Sequence, residues 1–86
     1  MKRIAVIGAI LENPKESQHA FNDVVSSFKG VIKGRLGLPF DEANMAVISL
    51  VAIGDMDLLN AFTGKLGKLS GVTVKTAISE KTISND

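Results

Sequence analysis

The chain has 86 residues, a formal net charge of +1 and no cysteine. Its composition is 45% hydrophobic and 22% charged, which excludes a disordered chain, and its length allows one small domain with a single core. The lack of cysteine excludes disulfides, thiolate metal sites and a cysteine nucleophile. Because Lys and Arg do not cluster along the sequence, direct binding to nucleic acid is not expected.

The first predicted strand covers residues 2–10 and is apolar on both of its faces. One face carries Ile4, Val6 and Ile10, and the other carries Ala5, Ile7 and Ala9. A strand with this pattern belongs in the middle of a sheet, covered on both sides. The run is too short to cross a membrane and no signal-peptide cleavage pattern follows it, so we expect a cytoplasmic protein without a membrane partner.

The first helix is predicted at residues 14–29. Asn13 is a residue type that caps free backbone N–H groups, Pro14 suits the first helical position, and Glu16 fits a capping box. Gly30 is expected to end the helix. Four apolar residues repeat at helical spacing and predict one stripe that faces the sheet: Phe21, Val24, Val25 and Phe28.

A second strand is predicted at residues 31–38, where apolar and charged residues alternate as in a half-buried edge strand. One face is expected to carry Ile32, Leu36 and Leu38, and the other Lys33 and Arg35. Gly34 and Gly37 interrupt the pattern, which indicates a bulge or a close approach of another backbone. Residues 39–43 are expected to turn the chain into the next strand as a hairpin.

The third strand, residues 44–54, is the longest nearly uncharged run in the chain and is rich in Val and Ile. Its two faces are both apolar: Met45, Val47, Val51 and Ile53 on one, and Ala46, Ile48, Leu50 and Ala52 on the other. It is therefore predicted to be the second central strand.

Asp55 is expected to cap a second helix at residues 56–69. The inward side chains of this helix are predicted to be Leu58, Leu59, Phe62, Leu66 and Leu69. Residues 72–79 alternate again and predict a second edge strand. A single domain is thus expected at residues 1–79, followed by a polar C-terminal tail at residues 80–86.

The element order is βαββαβ, an α+β fold. Right-handed crossovers place the first and third strands in the centre of a four-stranded antiparallel sheet of order 4-1-3-2, with both helices on one face. The other face is apolar too, and a bare patch of several hundred Å² is unusual on a soluble monomer. We therefore expect a homodimer or homotetramer. The alternative is that Ala and Ser dilute that face enough for it to remain in water.

Few residues are candidates for chemistry. His19 is the only histidine and lies opposite the apolar stripe of its helix, so it is interpreted as a surface residue and no metal site is predicted. Arg35, between two glycines, is suited to hold a carboxylate or phosphate, although an edge-strand charge that deters unwanted strand pairing explains it equally well. No Ser, Lys or carboxylate has an evident activating partner, so neither an enzyme nor a cofactor is predicted.

Three segments together resemble a family of small proteins proposed as regulators of the iron-only hydrogenase system: MKRIAVIGAILENP at residues 1–14, GRLGLPF at 34–40 and GVTVKTA at 71–77. The second segment is the most specific, and the resemblance covers nearly the whole chain. That family is similar in fold to amino-acid-binding ACT domains and to the C-terminal domain of nickel-responsive repressors. The resemblance implies a ferredoxin-like sandwich that self-associates.

The resemblance also implies a non-enzymatic regulator, of transcription in the hydrogenase system, that senses a small effector. A structural or protein-interaction subunit without a ligand is the alternative. The several His and the Cys that bind metal in nickel-responsive repressors are missing here, and these 86 residues leave no segment for their DNA-binding arm. By analogy with ACT domains, the ligand site is expected at Asn13 and at Gly34, Arg35 and Gly37 of a neighbouring chain.

Overall fold

The computed structural model describes residues 1–84. Its elements are β1 (Arg3–Glu12), α1 (Pro14–Ser27), β2 (Ile32–Phe40), a short 3-10 turn (Asp41–Ala43), β3 (Met45–Gly54), α2 (Met56–Gly67) and β4 (Val72–Ile78). The strands form one antiparallel sheet in the order β2-β3-β1-β4. The predicted topology is confirmed, and the two strands that are apolar on both faces are the central ones.

The core lies between one face of the sheet and the two helices. Along β1, alternate residues from Ala5 to Leu11 are at most 1% exposed, and their partners on β3, such as Leu50, are buried on the same face. From the helices, the buried apolar side chains are Phe21, Leu59, Phe62 and Leu66. Full burial of a large apolar side chain contributes roughly 1.5–3 kcal/mol, so this layer is the main source of stability.

At the start of α2, the predicted cap is present, but one of the predicted inward residues is exposed. The side chain of Asp55 accepts a hydrogen bond from the backbone N–H of Leu58 at 2.8 Å, which confirms the predicted cap. Leu58 itself is 37% exposed, so its predicted inward position is wrong. Adjacent residues lie about 100° apart around a helix. Because Leu59 faces the sheet and is buried, Leu58 points away from it. The helix ends at Gly67, and Leu69 packs against the core from beyond it.

Asn13 does not cap α1 with its side chain, so that prediction is wrong. Its backbone is left-handed (φ 51°, ψ 66°), a conformation that Asn tolerates better than most residues. Its side-chain oxygen instead accepts a hydrogen bond from the Nδ2 of Asn44 at 2.6 Å, and its backbone N–H donates to the Asn44 carbonyl at 3.0 Å. These bonds attach the start of the helix to the hairpin between β2 and β3.

The end of α1 also differs from the prediction. The helix ends at Ser27, and Gly30 does not take the left-handed conformation of a glycine cap, which Gly71 takes before β4 with φ 76°. The backbone N–H of Val31 instead donates to the Phe28 carbonyl at 2.8 Å, which closes a tight turn into the next strand.

A bulge in β2 changes which residues share a face. Ile32 pairs with Ala52 while Gly34 pairs with Val51, so β2 has one more residue than its partner across this step. The predicted bulge is confirmed, but it reverses the alternation after it. Ile32 therefore lies on the helix-covered face, whereas Leu36 and Leu38 lie on the opposite face. The predicted common face of these three residues is wrong for this reason.

Part of the polar segment after β4 pairs with the beginning of the chain. Ile83 and Lys2 exchange two backbone hydrogen bonds, of 3.0 and 2.6 Å. The guanidinium of Arg3 donates to the carbonyls of Ser79 and Glu80, each at 2.9 Å. The predicted tail at residues 80–86 thus begins as a segment held against β1, and its residues 85 and 86 lie outside the described residues.

The cap of α2 gives a direct test of the fold. Replacing the capping carboxylate in Asp55→Ala leaves a helix N–H group without its acceptor and should lower the free energy of unfolding by about 1 kcal/mol. Asp55→Asn retains a capping oxygen, so it should lower the free energy of unfolding by only a few tenths of the loss expected for Asp55→Ala. Urea unfolding followed by circular dichroism measures both variants, and equal stability of the two would contradict the cap's contribution.

Candidate functional site

A cleft of about 340 Å³ opens on the helix-covered face of the sheet, between the first turn of α1 and β2. Its floor is formed by apolar residues of the sheet, among them Leu11, Ala46 and Ile48. Its charged rim residues are Lys15, Arg35 and Asp41. A concave apolar surface with a few charged groups at its edge is the usual form of a small-molecule site, and this volume is at the lower end of the range of about 300–1,000 Å³.

Arg35 reaches this cleft because of the bulge, which puts it opposite Leu50 on the helix-covered face. Its guanidinium carbon lies 5.9 Å from the centre of the Phe21 ring, and its Nη2 donates to the Oδ1 of Asn22 at 2.8 Å. Among residues 1–84, no carboxylate pairs with it. A guanidinium has five N–H donors, so most of them stay available on a side chain that two contacts already orient.

Gly37 contributes to the cleft by lacking a side chain. It pairs with Ile48 on the floor of the cleft, and a Cβ placed on it would have no other atom within 4 Å. Its φ angle is not positive, so the backbone at this position does not require glycine. A larger residue here would fit the strand and would occupy the cleft, which makes Gly37 the position that leaves it open.

The other two predicted ligand residues lie elsewhere. Gly34 pairs with Val51 on the opposite face of the sheet, away from the cleft. Asn13 is bonded to Asn44 and does not line the cleft, but it joins the helix and the hairpin that form two of its walls. Sequence reasoning missed Lys15 and Asp41, because nothing along the chain relates either of them to Arg35.

His19 lies on the exposed side of α1, as predicted. Its Nε2 is 3.3 Å from the carboxylate of Asp23, one helical turn away, and its side chain is 90% exposed. Across residues 1–84, no group of three or more His, Cys, Asp or Glu side chains is placed to hold a metal ion. Over the same residues, no helix is long and apolar enough to cross a membrane.

The sheet face that the helices leave uncovered is called the open face here. It is the face of β3 that carries Val47 and Val51, a choice that the sequence left undecided. Eight of its large apolar residues are between 36% and 60% exposed: Ile4, Val6, Ile10, Leu36, Leu38, Phe40, Met45 and Val51. At its hairpin end is an apolar hollow of about 240 Å³ lined by Ile10, Phe40, Ala43, Met45 and Val47.

The sequence model of the TM1266-like family, proposed regulators of the iron-only hydrogenase system, matches residues 3–76. The chain belongs to this family. The structure of TM1266 from Thermotoga maritima is 36% identical in sequence, with a TM-score of 0.89, and the match covers 93% of this chain and 100% of that one. The resemblance drawn from the three segments, and with it the ferredoxin-like sandwich, is confirmed.

A more distant structure shares the fold alone. SnoaB, a cofactor-independent oxygenase from Streptomyces nogalater, is 14% identical with a TM-score of 0.55, and the match covers 99% of this chain and 98% of that one. Identity this low carries no information about activity. The comparison with curated proteins gave no match.

The contacts of Arg35 predict a small effect on stability. Arg35→Ala removes a solvent-exposed hydrogen bond and a cation–π contact, and should lower the free energy of unfolding by no more than about 1 kcal/mol. Lys65→Ala is the matched control, because Lys65 lies 5.4 Å from the centre of the Phe28 ring and neither residue lines the cleft. Thermal unfolding of both variants tests this, and a loss of cooperative folding in Arg35→Ala would show a structural role instead.

Proposed function

We propose that this chain is a non-enzymatic regulatory module that senses a small ligand in the cleft between α1 and β2. The observation that carries the proposal is Arg35, which is oriented by Phe21 and Asn22 at the rim of an apolar cleft and has no carboxylate partner among residues 1–84. Membership of a family of proposed hydrogenase-system regulators supports a regulatory role over a catalytic one.

The regulated process is then the iron-only hydrogenase system, and the site of action is the cytoplasm. Because basic residues do not form a cluster in the sequence, an effect on transcription is proposed to pass through a protein partner rather than through direct contact with DNA. The charged groups around the cleft are exposed and none is paired with a second group that would activate it, which favours binding over catalysis.

A thermal-shift screen tests ligand sensing most directly. Amino acids, other small acids, nucleotides and metal ions are added to the wild-type chain and to Gly37→Val, in which a side chain fills the cleft. A ligand of the cleft stabilises the wild type by mass action, by about 2.7 kcal/mol at 100 times its dissociation constant, and leaves Gly37→Val unchanged. If no compound shows this difference, the sensing proposal is wrong.

A second copy of the chain is proposed to cover the open face, giving a homodimer or homotetramer. The exposed apolar residues there make up an area on the order of several hundred Å², comparable with the roughly 800 Å² that each partner contributes to a standard interface. Charged residues on this face lie at its margin, with Lys75 on the edge strand and Glu12 at the end of β1. A face without central charge is complementary to a copy of itself.

This surface also favours a second candidate function, a structural or protein-interaction subunit that needs no ligand. The two functions differ in their dependence on the cleft and on the open face. The subunit is favoured if Val51→Glu, which disrupts the open face, abolishes biological activity while Gly37→Val, which fills the cleft, has no effect.

A charge at the centre of the open face should dissociate the assembly. Val51 is 41% exposed in the isolated chain, so Val51→Glu buries a carboxylate only when a second copy covers it. We expect light scattering at micromolar concentration to show an oligomer for the wild type and a monomer for Val51→Glu. Asn60→Glu, on the exposed side of α2, adds the same charge and should leave the oligomer intact. A monomeric wild type would refute the assembly.

A further inference from the structure

We infer that the cleft takes a small molecule with one carboxylate group and an apolar body. This inference rests on the proposed function, because it names the chemical class of the ligand for the same cleft. It follows from three properties of the site: the donors at its rim, the sum of its charges, and the apolar floor. Each of them excludes a different class of ligand.

The donors select a planar anion. Arg35 presents a fork of N–H groups whose spacing matches the two oxygens of a carboxylate, and its guanidinium is held in a cation–π contact with the Phe21 ring. The hydrogen bond from Nη2 of Arg35 to Asn22 orients the plane of the guanidinium. A guanidinium held in this way loses little side-chain entropy when an anion binds, which favours it over a free surface arginine. A neutral carbonyl group gains weaker hydrogen bonds from the guanidinium than a carboxylate does, and a cationic head group is repelled by it.

The charges select a single negative charge. The rim carries Lys15 and Arg35, each +1, and Asp41, −1, which leaves +1. One carboxylate neutralises this sum. A phosphate ester with two charges would leave excess negative charge in a cleft that the Asp41 carboxylate also lines, and like charges repel each other. A monocarboxylate is thus favoured over a phosphate, although both are ligands that arginine binds.

The floor selects an apolar body of limited size. Leu11 and Ile48 at its base are buried. The apolar surface that water reaches belongs to partly exposed lining residues such as Leu38 and Ala46, and the missing side chain of Gly37 gives access to it. Water on this surface is released when an apolar group covers it, which favours binding. A bare anion such as acetate or inorganic phosphate leaves most of this surface uncovered. With a volume of about 340 Å³, the cleft suits a molecule with one ring or one branched chain.

Phenylacetate, phenylacetamide and inorganic phosphate are the probes. The amide has the same ring and nearly the same shape as the acid but no charge, so the pair isolates the carboxylate. NMR titration of the full 86-residue chain measures the dissociation constants, which reach the millimolar range for probes of this size, and locates the site from the residues that shift. We expect phenylacetate to bind at the cleft at least about 10-fold more tightly than either other probe.

Variants separate the contributions of the rim. Arg35→Ala should weaken phenylacetate binding by about 10- to 100-fold, and Arg35→Lys should also weaken it, because lysine retains the charge but not the fork. Asp41→Asn raises the rim charge from +1 to +2 and should improve phosphate binding more than phenylacetate binding. Lys65→Ala removes a positive charge with a similar ring contact away from the cleft and should leave both unchanged.

The outcomes distinguish this inference from the proposed function. Equal binding of phenylacetate and phenylacetamide, tighter binding of phosphate, or no shift at the cleft with phenylacetate would each overturn the ligand class. The sensing function survives any of these results if the thermal-shift screen finds another compound whose effect is lost in Gly37→Val. If the screen finds none either, both are wrong.

Discussion

The pairing of β1 with β3 is the constraint on which the rest of this structure depends. The two strands pair residue by residue from Arg3 opposite Gly54 to Glu12 opposite Met45, without a bulge. Because side chains alternate along a strand, this register puts Ile7 and Leu50 together under the helices and puts Val6 and Val51 together on the open face. A slip of one residue would exchange the two faces of one strand, so a single register decides both the core and the uncovered surface.

The candidate cleft depends on the irregular pairing of β2 with the same central strand. Without the extra residue between Ile32 and Gly34, the alternation would continue unchanged and Arg35 would lie opposite Ser49 on the open face. The bulge moves it opposite Leu50, beside α1, where it contacts Phe21. One inserted residue thereby converts an edge-strand charge into a group at the rim of an apolar cleft. Met45 lines both the cleft and the hollow of the open face, so the two surfaces meet at the hairpin.

The element order and the central strands were predictable because the signals are local and repeated. Ten-residue apolar strands and an acidic cap such as Asp55 act through nearest neighbours, and the structure changes little about them. The failures have a different origin. Asn13 is a residue type that commonly caps helices, but its side chain is hydrogen-bonded to Asn44 instead. That residue is 31 positions away and is brought close only by the hairpin. Leu58 is as apolar as Leu59, yet only one of two adjacent residues can face the sheet.

The candidate site was predictable only in part. Arg35 and Gly37 were identified because an arginine among glycines in a strand is unusual, but Lys15 and Asp41 are ordinary surface residues until the fold brings them to the same rim. By itself, the sequence determined which segments avoid water, which of them are central, and that one sheet face is left apolar. Only the tertiary structure decided which face that is, because both faces of β1 and β3 are apolar and burying either gains similar free energy. The tertiary structure also decided which charges surround the cleft. Lys15, Arg35 and Asp41 belong to different elements, and the bulge in β2 and the packing of α1 beside it bring them together, rather than any local preference.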